Sequence, residues 1–209
     1  MSGLFVKICG ITNADDARAA VEAGAGAIGL IFVPNTPRYV SVETAKAVAR
    51  AVPAGVSKVG VFVDAPVEEI NRTAREVSLD VVQLHGELTP EQAARLVVPF
   101  FKVIRVRGEI DVEALRAYKA RAIVLDTFVE GQPGGTGKTF DWDLARPVVE
   151  AGLPVLLSGG LTADNVAEAV RRVRPFGVDV SSGVETRPGR KDHDRVRAFI
   201  SNARGAWRD

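Results

Sequence analysis

Eight short apolar runs, each followed by helix-start signals, recur along 209 residues at intervals of about 26, so the chain must be built from β-then-α units. The runs are Leu4 to Cys9, Ala27 to Phe32, Val56 to Val63, Asp80 to Leu84, Phe100 to Val106, Ala122 to Asp126, Pro154 to Leu157 and Phe176 to Val180. They are rich in Val, Ile, Leu and Phe without strict polar alternation, which is how parallel strands buried on both faces read. Between them, Thr89-Pro90-Glu91-Gln92 has the capping-box pattern, and Ser41, Asp111 and Thr162 stand where helix N-caps belong. No linker or low-complexity segment interrupts the series. The expectation is an α/β fold, a single (β/α)8 TIM barrel over residues 1–209. A doubly wound sheet would usually stop at five or six strands and open with a Gly-rich dinucleotide turn, which Cys9-Gly10-Ile11-Thr12 is not.

In a barrel the residues that follow each strand collect on one face, where chemistry is done. Strand one ends in Cys9, the only cysteine, and strand six ends in Asp126. Two proton-transfer groups of different kinds on that face point to acid–base chemistry on a small molecule. The loop Val33-Pro34-Asn35-Thr36-Pro37-Arg38 brings one arginine, and strand four delivers Gln83 and His85. Strand seven runs into Ser158-Gly159-Gly160-Leu161 and strand eight into Asp179-Val180-Ser181-Ser182-Gly183. Glycines there let backbone N–H groups approach a phosphate at the place where barrels commonly bind one, so the barrel reads as the phosphate-binding type and the substrate as a phosphorylated, sugar-like molecule.

Composition narrows the partners. Lys+Arg 27 against Asp+Glu 26 leaves a net charge of +1, unlike the basic face of a nucleic-acid binder. No apolar stretch reaches the roughly 20 residues of a membrane span, and no basic-then-apolar leader opens the chain. One cysteine forms no internal disulfide, and no Cys/His cluster has zinc spacing, so a cytoplasmic protein without a metal is expected.

Singly, each candidate has a plainer reading. Cys9 would be a small buried hydrophobe, Asp126 a loop cap or the partner of Lys138, Arg38 a solvated charge, His85 a satisfied core histidine and Gly159-Gly160 a tight turn. Their joint placement at strand ends argues against coincidence. His193, near a helix start, reads as surface. Gly131-Gln132-Pro133-Gly134-Gly135-Thr136-Gly137-Lys138-Thr139 looks like a P-loop, but its first glycine is out of register by one residue. That segment suits a cover over the site better than a nucleotide cradle.

These residues resemble the phosphoribosylanthranilate isomerase family of tryptophan biosynthesis through nearly the whole chain. The resemblance is carried by Lys7-Ile8-Cys9-Gly10-Ile11-Thr12, Thr36-Pro37-Arg38, Val82-Gln83-Leu84-His85-Gly86, the stretch Gly134 to Trp142, Leu157-Ser158-Gly159-Gly160-Leu161 and Val180-Ser181-Ser182-Gly183-Val184-Glu185. Thr36 stands where the family commonly has serine. The resemblance implies an Amadori rearrangement with Cys9 as general base and Asp126 as general acid. It also implies Arg38 on the anthranilate carboxylate, Asp179 facing the sugar, and Gly160, Ser182 and Gly183 on the phosphate. No cofactor is implied, because the imine electron sink comes from the substrate's own nitrogen. A histidine-pathway aminoaldose isomerase uses two aspartates instead, and an inactive binding barrel would be expected to lose Cys9 or Asp126. Thermophilic members of the resembled family are often dimers, which leaves a homodimer as a possible assembly.

Overall fold

The computed structural model describes residues 3–127 and 139–208. Eight parallel strands follow one another around a closed barrel: β1 (Phe5–Ile8), β2 (Ala27–Ile31), β3 (Ser57–Val63), β4 (Val81–His85), β5 (Phe100–Val106), β6 (Ala122–Thr127), β7 (Val155–Leu157) and β8 (Gly177–Val180). β8 closes the barrel on β1, with Lys7 opposite Asp179. Helices α1 (Ala14–Glu22), α2 (Val42–Ala49), α3 (Val67–Val77), α4 (Pro90–Ala93), α5 (Val112–Arg116), α6 (Arg146–Glu150), α7 (Val166–Val173) and α8 (His193–Arg208) come after the strands in turn. A two-stranded hairpin, β9 (Glu185–Arg187) and β10 (Arg190–Lys191), interrupts the passage from β8 to α8.

The expected caps form at Ser41, whose hydroxyl accepts from Thr44 N at 3.1 Å, at Asp111, and at Thr89 with its reciprocal Gln92. Thr162 is different. Its own N–H donates to Asn165 Oδ1 at 2.8 Å, and Asn165 Nδ2 donates to the Gly160 carbonyl at 3.0 Å. This turn delays α7 until Val166 and ties the Gly160 loop to the helix start.

Period-two alternation sorts the strand side chains. Leu4, Val6 and Ile8 pack outward in the cluster that includes the helices, whereas Phe5 packs inward with strand residues Val59, Val81, Phe101, Val124 and Leu156. At the bottom of the barrel Phe5 stacks on Phe176 with centroids 5.4 Å apart and meets Phe101 edge-on at 6.4 Å. Higher up, the buried side chains become polar: Lys7, Gln83 and Asp179. Burying a large apolar side chain stabilises by about 1.5–3 kcal/mol, whereas a buried ion pair is often no better than apolar residues of similar size. The upper layer is therefore polar for a reason other than stability.

Candidate active site

Above that layer, at the carboxyl ends of the strands, lies a cavity of about 450 Å³. The structure brings all ten candidate residues to its wall: Cys9, Arg38, Gln83, His85, Asp126, Gly159, Gly160, Asp179, Ser182 and Gly183. They come together because the inward positions of β4, β6 and β8, and the residue just past β1, all end at one height in the closed barrel.

Cys9 continues the β1 ladder by one hydrogen bond, its N–H donating to the Val180 carbonyl at 2.8 Å, and it is 6% exposed. Two residues earlier, and so on the same inward side, Lys7 donates from Nζ to Asp179 Oδ1 at 2.9 Å with its side chain wholly buried. Burial pushes the Cys9 thiol up, and the Lys7 ammonium beside it pulls in the other direction. Burial would lower Lys7, but Asp179 and Cys9 more than compensate and keep it a cation. The thiol thus has a fixed positive charge next to it in a dry setting.

Room for this pair depends on Gly29 in β2. A Cβ there would stand 2.7 Å from Cys9 Sγ and 3.2 Å from Lys7 Cε. Gly29→Ala is expected to displace the thiol and reduce kcat steeply, while overpacking lowers stability by about 1–3 kcal/mol. Parallel measurement of kcat and Tm checks this; unchanged kcat would show that the thiol has slack.

Across the mouth, Asp126 accepts from Thr127 N at 2.8 Å through Oδ1. Burial, with the negative charge of Asp179 adding to it, lifts Asp126 to about 6. Asp179 also accepts from Ser158 Oγ at 3.4 Å, which joins β7 to the same network. Arg105 lies opposite Asp126 in the β5–β6 register, and its charge acts on both Asp126 and His85. Burial, followed by Arg105, pushes His85 down to about 3, so its ring is neutral. His85 Nε2 lies 3.1 Å from Gln83 Nε2; among the described residues, His85 Nδ1 and Gln83 Oε1 have no partner.

The phosphate-loop candidates sit side by side. Gly159 and Gly160 both have positive φ, 84° and 66°, a conformation open to glycine at little cost. A Cβ on Gly183 would stand 2.0 Å from the Leu161 carbonyl oxygen, so this glycine lets the β7 and β8 loops touch.

Arg38 is not the lone cation its loop suggests. Its Nε donates to Glu185 Oε1 at 2.9 Å and Nη2 to Oε2 at 2.6 Å, a two-point pairing, and Lys191 Nζ reaches Oε1 at 2.8 Å. Lys7, Glu185 and Lys191 are the charged neighbours that the sequence reading leaves without a role. Lys7 was detectable: it shares the inward parity of Phe5 and Cys9, so its ammonium must enter the barrel. His193 is half-buried and pairs with Asp16 at 2.8 Å, more engaged than a surface histidine. The loop proposed as a cover, 127–140, falls outside the described residues over 128–138, as does Lys138 as a partner for Asp126. Among the described residues no cluster of His, Cys, Asp or Glu could hold a metal ion, and no helix is long and apolar enough to cross a membrane.

Known proteins resemble this chain over nearly its whole length. Residues 6–202 match the family model described as N-(5'-phosphoribosyl)anthranilate (PRA) isomerase. An N-(5'-phosphoribosyl)anthranilate isomerase of Pseudomonas syringae pv. tomato is 49% identical over 98% of this chain and 100% of its own length. Two structures from Thermotoga maritima, one of monomers generated from a dimeric phosphoribosylanthranilate isomerase, align with TM-scores of 0.90 and 0.87 at 45% and 44% identity, covering 97% of this chain and 99% of theirs. A phosphoribosylanthranilate isomerase in complex with reduced 1-(o-carboxyphenylamino)-1-deoxyribulose 5-phosphate aligns with a TM-score of 0.86 at 43% identity, with the same coverage.

Proposed function

The chain belongs to the N-(5'-phosphoribosyl)anthranilate isomerase family, and we propose that its cavity performs the reaction with Cys9 as general base and Asp126 as general acid. The reaction is the Amadori rearrangement of N-(5'-phosphoribosyl)anthranilate to 1-(o-carboxyphenylamino)-1-deoxyribulose 5-phosphate, a step of tryptophan biosynthesis. The observation that carries the assignment is the pairing of a carboxyl lifted to about 6 with a buried thiol beside an ammonium, in one cavity.

Asp126 in its acid form gives its proton to the furanose oxygen as the C1–O bond breaks, and the anilino nitrogen lone pair becomes the C=N bond of a protonated Schiff base. That cation acidifies the proton on C2. The Cys9 thiolate takes it, the C2–H electrons form the enolamine, and tautomerisation to the ketose completes the balance. Lys7 stabilises the thiolate electrostatically, and the neutral His85 adds no competing charge. Asp179, held by Lys7 and Ser158, accepts from the sugar hydroxyls. Gly159, Gly160, Ser182 and Gly183 offer the phosphate its binding loops, Gln83 and His85 offer the substrate polar atoms, and Arg38 takes the carboxylate. The test is conversion of phosphoribosylanthranilate by the purified chain, followed as loss of anthranilate-type fluorescence.

Arg38→Met keeps the stem and deletes the guanidinium, so KM should rise about tenfold or more with a smaller change in kcat. Steady-state kinetics at saturating and subsaturating substrate separate the two, and an unchanged KM would place Arg38 outside the substrate's reach. Similarity to the dimeric Thermotoga maritima enzyme also supports a homodimer, readable by sedimentation equilibrium. A reduced, unpaired Cys9 fits a cytoplasmic setting.

A further inference from the structure

The hairpin between β8 and α8 adds no strand to the barrel, yet it carries two buried charges to one point: Glu185 on β9 and Lys191 on β10, opposite each other in register. Both lie behind Arg38, which alone of the three lines the cavity. We propose that Glu185 and Lys191 are positioning residues that complete a carboxylate receptor around Arg38, Glu185 by fixing the guanidinium and Lys191 by keeping the cluster cationic. This rests on the reading of Arg38 as the partner of the substrate carboxylate.

The geometry argues for the first half. Glu185 occupies the Nε and Nη2 side of the guanidinium, and among the described residues Nη1 donates to no acceptor. A planar fork held along one side presents its other edge in a fixed direction, which reduces the side-chain freedom lost when a ligand binds. Glu185 is itself held: besides Arg38 its carboxylate accepts from Lys191 Nζ and, at 3.4 Å, from Gly189 N, and its side chain is 3% exposed. Burial would raise its pKa, but Arg38 and Lys191 outweigh burial and keep it an anion.

Charge argues for the second half. Arg38 and Glu185 alone would sum to zero, leaving a substrate carboxylate to meet a neutralised pair. Burial lowers the pKa of the fully buried Lys191 and Glu185 opposes that shift, so the Lys191 ammonium sets a positive charge against the Glu185 carboxylate behind the cavity wall. Lys191 Nζ also donates to the Ser181 carbonyl at 3.1 Å, and its N–H to Asp16 Oδ2 at 2.9 Å, so the cluster is tied to the β8 loop and to α1 rather than left free to drift.

The experiment compares kcat/KM for N-(5'-phosphoribosyl)anthranilate with that for N-(5'-phosphoribosyl)aniline, which lacks only the carboxylate, in wild type, Arg38→Met, Glu185→Gln and Lys191→Met. Arg38→Met should abolish the preference for the carboxylate. Glu185→Gln and Lys191→Met should each reduce it by about tenfold, the size of one charge-assisted contact, with the loss falling mainly on the carboxylate substrate. If either single variant fails to fold, the double variant removes one charge of each sign, so it keeps the cluster's net charge while freeing the Arg38 guanidinium, and should also show a reduced preference. Retention of the full preference by the Glu185 and Lys191 variants, or equal losses on both substrates, overturns the proposal while leaving Arg38's role intact. Retention by Arg38→Met as well would defeat the underlying reading of Arg38.

Discussion

Cys9→Ser protein folds normally and turns over 10²–10⁴-fold more slowly than wild type, on the order of what a positioned general base contributes. Serine fits the space between β1 and Gly29 with a smaller atom, so neither packing nor the Cys9 N–H to Val180 bond is disturbed. What changes is ionisation. Burial raises the thiol, and Lys7 beside it offsets part of that cost by stabilising the thiolate. A hydroxyl in the same place stays protonated, Lys7 or not. Because Cys9 is the chain's sole thiol, its ionisation is measurable directly as thiolate absorbance or as the rate of alkylation against pH. The reduced product analogue should protect it from alkylation. Near-normal kcat in folded Cys9→Ser would remove the thiol from the chemistry.

The strand ends were legible because parallel strands buried on both faces leave continuous apolar runs, and a polar residue at the end of such a run has only the barrel mouth to occupy. Cys9, His85 and Asp126 were therefore located by counting along their own strands. Arg38 shows where that logic stops. Its place in the cavity wall could be read from the loop after strand two, but its partner Glu185 lies 147 residues away, brought near only because β8 closes on β1. Local pattern carries no sign of such a closure-dependent ion pair. Thr162 failed for a shorter-range reason. A threonine before Ala163-Asp164-Asn165 has cap character, and its hydroxyl does accept from Asp164 N at 3.3 Å, but the Asn165 side chain, by accepting from Thr162 N and donating to the Gly160 carbonyl, holds a turn there and the helix starts three residues later. The outcome at Thr162 serves the β7 loop, whose conformation the helix start now braces.

Asp126→Asn is expected to lose nearly all turnover, again 10²–10⁴-fold, while still binding the reduced product analogue, which already has an open chain and needs no ring-opening acid. The amide retains the acceptor for Thr127 N but has no acidic proton to give. The pH dependence separates this reading from a steric one. Asp126, at about 6, is an acid below that pH and is titrated away above it; Cys9, raised by burial, becomes a thiolate only as pH climbs further. The productive form, thiolate with carboxylic acid, is thus a minor arrangement of one shared proton. Its population rises with pH to about 6, stays level between the two ionisations and falls above the thiol's, so wild-type kcat/KM, which reports the free enzyme, follows a bell whose limbs belong to the pair. In Asp126→Asn only the thiol of the pair titrates: the residual kcat/KM should climb without a break near 6 and level off at high pH with no descending limb. The substrate phosphate, which itself ionises near 6, is common to both proteins and cancels in the comparison. An unchanged bell in Asp126→Asn, or full activity, would defeat the acid assignment. Loss of analogue binding together with activity, in a protein with a normal circular dichroism spectrum, would make Asp126 a group that holds the ligand rather than one that protonates it.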